Sequence, residues 1–243
     1  MKIIKVDAIG STNSFLKAQI KESPLDNFTV VVTDNQTKGK GQQGASWESE
    51  AGKNLTFSVF VDDLDLAIQN QFVLSMTVAL ALKKSLVNFL PNKIAVKWPN
   101  DILADQQKIA GVLIENTVRK GKIENAIIGI GLNVNQEVFI LNPKATSMKL
   151  LTNGNFNLAE VLNDFLKVLR YELESLKLTS FDLIEENYLR NLYNFEKPAM
   201  FKLTNGPLFM ARISGIDELG RLQLELEDES KKSFDLKEIK QIL

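Results

Sequence analysis

The chain has 243 residues, 44% hydrophobic and 24% charged, with 29 lysines and arginines against 30 acidic residues. That length suffices for one large core, or for a core plus a small second domain. Histidine and cysteine are both absent, which excludes disulfides, thiolate zinc sites, thioester chemistry, histidine-based triads and HExxH metalloproteases. Balanced charge also argues against a nucleic-acid binder that works through a broad basic field.

The apolar run of the first segment is too short for a signal peptide and is broken by Asp7. No stretch approaches the roughly 20 apolar residues that span a bilayer, and the cytoplasm is the expected compartment. Ser11-Thr12-Asn13-Ser14 reads as a helix start, with side chains able to cap free backbone N–H groups. The β-branched run 28–33 predicts a buried strand, 37–44 a glycine-punctuated loop, and 55–61 the next strand. Ile68, Phe72, Val73, Met76, Leu80, Val87 and Leu90 trace one face of a long helix, with Lys83 as a polar intruder. Two strands follow, around 94–98 and 109–116, joined by Pro99-Asn100-Asp101, and 122–135 holds another strand or a pair of them. Leu158, Val161, Leu162, Phe165, Leu166, Leu169, Leu173 and Leu176 fall at helical spacing, and a shorter helix is expected at 181–192.

From about Phe195 the pattern changes to short alternating segments separated by Asn205-Gly206, 217–220 and 228–230, as in a small antiparallel sheet or barrel. The expected architecture is therefore α/β (α+β): a mixed sheet with helices over 1–194, and a small all-β barrel over 195–243.

Along 127–135, strand alternation puts Ile128, Ile130, Leu132 and Val134 on one face and Gly129, Gly131, Asn133 and Asn135 on the other. Glycines inside a strand mark either a close approach by a backbone or ligand, or a bulge with tight packing. The loop Gln36-Thr37-Lys38-Gly39-Lys40-Gly41-Gln42-Gln43-Gly44 could wrap an anion with its backbone donors, or be a plain hairpin connection. It lacks the spacing of a P-loop. Trp47 just beyond it could stack on a ring. Lys97-Trp98-Pro99-Asn100-Asp101 gathers a cation, an aromatic, an amide and a carboxylate at a strand end, where open α/β sheets place ligand groups. Lys108 lies close by in sequence.

Taken in order, these segments resemble the biotin–protein ligase family. The matches are Ser11-Thr12-Asn13; Gln36 with the 39–44 loop, Trp47 and Ser49; the run 97–101; Lys108-x-x-Gly111-x-Leu113-x-Glu115; the run 129–135; and Ala145-Thr146-Ser147. The resemblance implies a catalytic domain like that of class II aminoacyl-tRNA synthetases, and a C-terminal barrel of the Src-homology type. The implied reaction joins biotin to ATP, with Mg²⁺, as biotinyl-5′-adenylate and passes the biotinyl group to a lysine of a biotin carboxyl carrier protein domain. None of these steps needs histidine or cysteine, since adenylation is mainly positioning and electrostatics.

By the same resemblance, Lys108 would contact the biotin carboxylate and the α-phosphate. Ser11, Thr12, Asn13 and Gln36 would bind the ureido ring. Gly39, Lys40, Gly41, Gln42, Gly111, Leu113, Gly129 and Gly131 would complete the biotin site. Lys40, Gln42, Gln43, Trp47, Lys97, Asn100 and Asn133 would serve the nucleotide. Asp101 would hold magnesium indirectly or help deprotonate the acceptor amine. The family's glycine loop carries two arginines where this chain has Lys40 and Gln42, which implies a less tightly held adenylate. The chain opens almost at the first motif, so it looks like the monofunctional form that lacks a DNA-binding helix-turn-helix. No DNA or membrane partner is expected, and a homodimer is left open. The rival readings are a lipoate–protein ligase-like enzyme and a biotin sensor without catalysis.

Overall fold

A computed structural model describes residues 1–242, apart from the side chain of Gln43. The elements in chain order are β1 (Lys2–Ile9), α1 (Thr12–Glu22), β2 (Thr29–Gln36), β3 (Leu55–Ala67), α2 (Gln71–Val87), β4 (Ile94–Lys97), β5 (Asp101–Ala104), β6 (Gln107–Arg119), β7 (Lys122–Leu132), α3 (Met148–Thr152), α4 (Leu158–Leu176) and α5 (Phe181–Arg190). The remainder is all strand: β8 (Pro198–Leu203), β9 (Leu208–Ile216), β10 (Leu222–Glu225), β11 (Lys231–Phe234) and β12 (Ile239–Gln241).

The first seven strands form one sheet in the order β1-β2-β3-β7-β6-β5-β4. Only β1 and β2 run parallel, because α1 provides the long crossover that a parallel pair requires. The expected mixed sheet is thus present. Two of its strands, β1 and β5, have no counterpart among the expected elements. β5 turns the stretch expected as one joint between two strands into a meander, β4-β5-β6, with Lys97 opposite Asp101 and Asp101 opposite Gly111.

The alternation of β7 sorts the two faces of this sheet. Ile128, Ile130 and Leu132 are buried in the main core with Leu74, Val78 and Leu82 of α2 and with Phe165, Leu166 and Leu169 of α4. Each fully buried side chain of this kind contributes about 1.5–3 kcal/mol. α2 is buried over more of its circumference than a single stripe, and Val87, expected on its inner face, is 53% exposed. The reason is that α2 packs against the sheet on one side and against α4 and α5 on the other. The opposite face of the sheet carries a smaller cluster of Leu16, Val31, Phe60 and Ile127, by which α1 is seated.

The last five strands form an antiparallel sheet in the order β11-β10-β9-β8-β12. Its inner residues Phe201, Ile213, Leu222, Leu224 and Ile239 belong to the same apolar cluster as the large sheet. The indole N–H of Trp98, at the end of β4, donates to the carbonyl of Gly220 at 2.9 Å. The small sheet is thereby held against the rim from which the chemistry-bearing run 97–101 projects. Among the described residues, no helix is long and apolar enough to cross a membrane.

Candidate active site

On the α1 side of the large sheet lies a cavity of about 330 Å³, lined from α1, the glycine loop, β4 to β7 and the small sheet. Strand register explains its floor. Gly129 faces Ser58 on β3 and Leu113 on β6, Gly131 faces Thr56 and Gly111, and Gly111 faces Asp101, which in turn faces Lys97. Paired residues share a face of the sheet. A continuous track therefore runs across five strands, from a hydroxyl-rich region over bare glycine to a carboxylate and an ammonium.

Two side chains of the protein itself descend on the glycines of this track. A Cβ on Gly129 would lie 2.3 Å from Asn13 Oδ1, and one on Gly131 would lie 2.3 Å from Trp47 Cε2. The space over both glycines is thus filled by the protein's own side chains, which is the tight-packing alternative, and no register shift falls at either of them.

Around Gly129 the polar groups interlock. Ser11 caps α1 by accepting from the Ser14 N–H at 3.5 Å. Gln36 Oε1 accepts from the Thr12 backbone N–H at 2.9 Å. Ser58 Oγ lies 2.7 Å from Thr12 Oγ1 and 2.5 Å from Asn13 Oδ1, and Asn13 Nδ2 donates to Glu115 Oε2 at 2.9 Å. Thr12, Asn13 and Ser58 are almost wholly buried.

The glycine loop closes on itself. The Gly41 N–H donates to the Ala45 carbonyl at 2.6 Å, and the Trp47 N–H to the Gly39 carbonyl at 3.1 Å. Beyond Trp47, Glu48 accepts from the N–H groups of Ile140 and Leu141 at 2.9 and 2.8 Å, and the Glu50 N–H donates to Gln136 Oε1 at 2.9 Å. Anchored on both sides, the Trp47 ring lies over the track with Lys108 Nζ 5.6 Å from its centroid, within cation–π range. Its indole N–H is buried with no hydrogen-bond partner, as is Gln42 Oε1. Buried polar atoms normally have partners, so this donor and acceptor suit a polar ligand.

Lys108 is fixed through its backbone, whose N–H donates to the Lys144 carbonyl at 3.0 Å and whose carbonyl accepts from Thr146 at 2.8 Å. Its ammonium meets Asp101 Oδ1 at 2.6 Å. Asn100 spends its side-chain amide on the Val112 carbonyl. Lys97 and Lys240, the latter from β12, also line the cavity. Burial is the main reason the Lys97 pKa is lowered; Asp101 opposes the shift, and Lys108, Lys240 and Lys144 add to it. Cations crowded into one enclosure favour a polyanionic ligand.

Ser11, Thr12, Asn13, Gln36, Lys40, Gly41, Gln42, Trp47, Lys97, Asn100, Asp101, Lys108, Gly111, Leu113, Gly129 and Gly131 all line this one cavity. Three residues expected at the site stand apart. Gly39 is not among the lining residues: it packs behind the loop, where a Cβ would meet the Trp47 carbonyl at 2.7 Å. Asn133 lies past the end of β7, 2% exposed, with its amide on the Thr146 carbonyl at 3.0 Å. There it ties the segment that holds Lys108, rather than lining the cavity. The side chain of Gln43 is outside the described residues. Ser58 and Lys240 belong to the site without any motif to announce them. The one signal for Ser58 is a small polar residue inside the strongly apolar run 55–61.

Fold and cavity together describe a mixed-sheet protein with an enclosed trough, hydrogen-bonding at one end and cationic at the other. The comparisons agree. Residues 6–133 match the model of the biotin/lipoate A/B protein ligase family. The chain is 29% identical over 239 residues to the bifunctional ligase/repressor BirA of Bacillus subtilis, covering 96% of this chain and 72% of that protein. It is 34% identical over 142 residues to the biotin–[acetyl-CoA-carboxylase] ligase of Mycobacterium tuberculosis, covering 57% and 52%. The biotin protein ligase of Aquifex aeolicus, solved with biotin and ATP, superposes with a TM-score of 0.81 at 25% identity over 99% of this chain and 98% of that one. The chain belongs to the biotin/lipoate A/B protein ligase family.

Proposed function

We propose that this protein is a biotin–protein ligase. It joins biotin and ATP into biotinyl-5′-adenylate and pyrophosphate, then transfers the biotinyl group to a lysine of a biotin carboxyl carrier protein domain. The observation that carries the reading is the single track from the Thr12–Asn13–Ser58 cluster, across Gly129, Gly131 and Gly111, to Asp101 and Lys97. A ring able to exchange hydrogen bonds would sit at its polar start. An acid tail would run alongside the Trp47 ring to Lys108, and phosphates would lie toward Lys97 and Lys240.

In the first step a biotin carboxylate oxygen attacks the α-phosphorus, and the bond to pyrophosphate breaks. Lys108 holds the carboxylate against the phosphorus and offsets the negative charge that spreads over the phosphoryl oxygens. Asp101 keeps the Lys108 ammonium aimed. In the second step the neutral acceptor amine attacks the acyl carbon, the bond to the adenylate oxygen breaks, and AMP departs. The closed glycine loop and Trp47 keep water away from the reactive anhydride between the two steps.

Among the described residues Asp101 is the one carboxylate lining the cavity, and no three acidic side chains gather as metal ligands. That donor set fits magnesium carried in on nucleotide phosphates, which needs only one or two protein carboxylates. Bound there, beside Asp101, the ion would supply Lewis-acid charge stabilisation at the phosphates.

The hydroxyl and amide cluster favours biotin over lipoate, because a dithiolane ring offers no N–H or C=O to satisfy it and buried polar groups would stay unpaired. ATP–pyrophosphate exchange with each acid separates the two. Incubation with biotin, Mg-ATP and a carrier domain, read by mass spectrometry, is expected to show one biotinyl addition. No addition would overturn the proposal.

A further inference from the structure

The cluster beside Gly129 is a directed chain of hydrogen bonds, and its direction is set from outside the cavity. Glu115, on β6, does not line the cavity. Its Oε2 accepts from Asn13 Nδ2 at 2.9 Å and its Oε1 from Lys17 Nζ at 2.6 Å. Burial pushes the Glu115 pKa up, but the hydrogen bonds from Lys17 and Asn13 outweigh it and hold the pKa below the ordinary glutamate value. Glu115 is therefore an ionised carboxylate at neutral pH, and an ionised carboxylate only accepts.

The rest follows link by link. Asn13 must turn its NH₂ toward Glu115 and the Leu113 carbonyl, 3.3 Å away, which leaves Oδ1 for Ser58 Oγ at 2.5 Å. The amide cannot back away across the sheet without losing the gap over Gly129, where a Cβ would sit 2.3 Å from Oδ1. Ser58 is 0% exposed, so its single proton has no water to go to. It goes to Asn13 Oδ1, an obligatory acceptor at 2.5 Å, which leaves Thr12 Oγ1 to donate, to Ser58 Oγ at 2.7 Å or to Gln36 Oε1 at 3.3 Å. Thr12, its own proton committed, shows the cavity only lone pairs. Rotating the Asn13 amide by half a turn would reverse the Asn13–Ser58 link and release the Thr12 proton from Ser58, with Gln36 Oε1 at 3.3 Å as its remaining protein acceptor.

We infer that Glu115 is a positioning residue for acid recognition: through Asn13 and Ser58 it makes Thr12 an obligatory acceptor for a ring N–H. The inference rests on the proposed biotin reading and adds to it a selector that never touches the ligand. Lys17, more than half exposed at its side chain, supports the carboxylate from solvent and is dispensable.

The test is ATP–pyrophosphate exchange by the full chain, with the Michaelis constants for biotin and for ATP measured separately. Inhibition by lipoic acid, whose ring has no N–H, is measured alongside. Glu115→Ala is expected to raise the biotin constant about tenfold, the weight of one charge-assisted hydrogen bond, while the ATP constant and the lipoic acid inhibition constant stay put. Glu115→Gln, which can turn an amide oxygen to Asn13, should recover the biotin constant to within about threefold of wild type. Lys17→Ala should stay within about twofold. An unchanged biotin constant in Glu115→Ala, or equal weakening of biotin, ATP and lipoic acid, would overturn the inference while leaving the proposed function standing. A wild-type protein that exchanges with neither acid would overturn the function itself, and that result is visible before any variant is made.

Discussion

Lys108 Nζ and Asp101 Oδ1 lie 2.6 Å apart, with side chains 25% and 22% exposed. They face each other because β5 folds back between β4 and β6, with a register shift at Ile102 and Leu103. A pair this open to water adds about 1 kcal/mol or less to stability, so its value lies in holding a charge where a phosphoryl group would react. Lys108→Ala is expected to cut ATP–pyrophosphate exchange at least about a hundredfold while leaving the melting temperature within a few degrees. Near-normal exchange in that variant would remove Lys108 from the reaction.

Lys97 carries a cost in the free protein. Its lowered pKa, caused first by burial, means that the folded chain releases this proton more readily than the unfolded chain, whose lysines titrate at about 10.4. Between those two pKa values the unfolded state binds more protons, so stability rises with pH. Lys97→Met should therefore melt at or slightly above the wild-type temperature at neutral pH, with the advantage shrinking as pH climbs toward about 10.4. Its Michaelis constant for ATP should rise about tenfold or more, as expected for a lost phosphate contact. Melting curves across pH, set beside exchange kinetics, check both halves; a lower melting temperature at neutral pH would contradict the first.

Much of this site can be read from the sequence because strand alternation is strict. Once 127–135 is taken as a strand, Gly129 and Gly131 must share a face, and β7 confirms it. The side chains that descend on those glycines are not readable in the same way. Asn13 and Trp47 arrive from α1 and from a loop, and long-range docking leaves no periodic trace. β5 escapes for a different reason: four residues directly after Pro99 and Asn100 are too few to show alternation. Asn133 shares the parity of the glycines, yet β7 ends at Leu132. Parity stops predicting direction where the ladder stops, and Asn133 turns to Thr146.

Gly131 seats the indole of Trp47: three ring atoms would lie 2.3 to 2.7 Å from a Cβ there. Gly131→Ala cannot keep that ring in place. The variant should show red-shifted emission relative to wild type, because Trp47 moves toward water while Trp98, 9% exposed, stays put. Trp47→Phe identifies which tryptophan shifts. Adenylate should also leave the variant faster, since the cover over the track is displaced; unchanged emission and unchanged adenylate release would refute the assignment.

Trp98 and Gly220 couple the two sheets. Gly220 has φ +81, a conformation costly for any residue with a Cβ, and its added methyl would come within 2.4 Å of the Phe72 ring. That ring is itself fixed edge-on against Tyr188, centroids 5.9 Å apart. Gly220→Ala should therefore cost roughly 2–4 kcal/mol from strain and overpacking, a fall of roughly 5–15 °C in melting temperature for a chain this size. Because the apolar cluster is continuous from Phe165 through Trp98 to Phe201 and Ile213, the whole chain should lose structure in one transition, in wild type and variant alike. Leu236, Ile239, Lys240 and Gln241 line the cavity, so ATP binding should weaken in the variant even at temperatures where it remains folded. Calorimetry reads the first effect and exchange kinetics the second. Two resolved transitions, with ATP binding untouched, would mean that the small sheet is an independent appendage, not a wall of the active site.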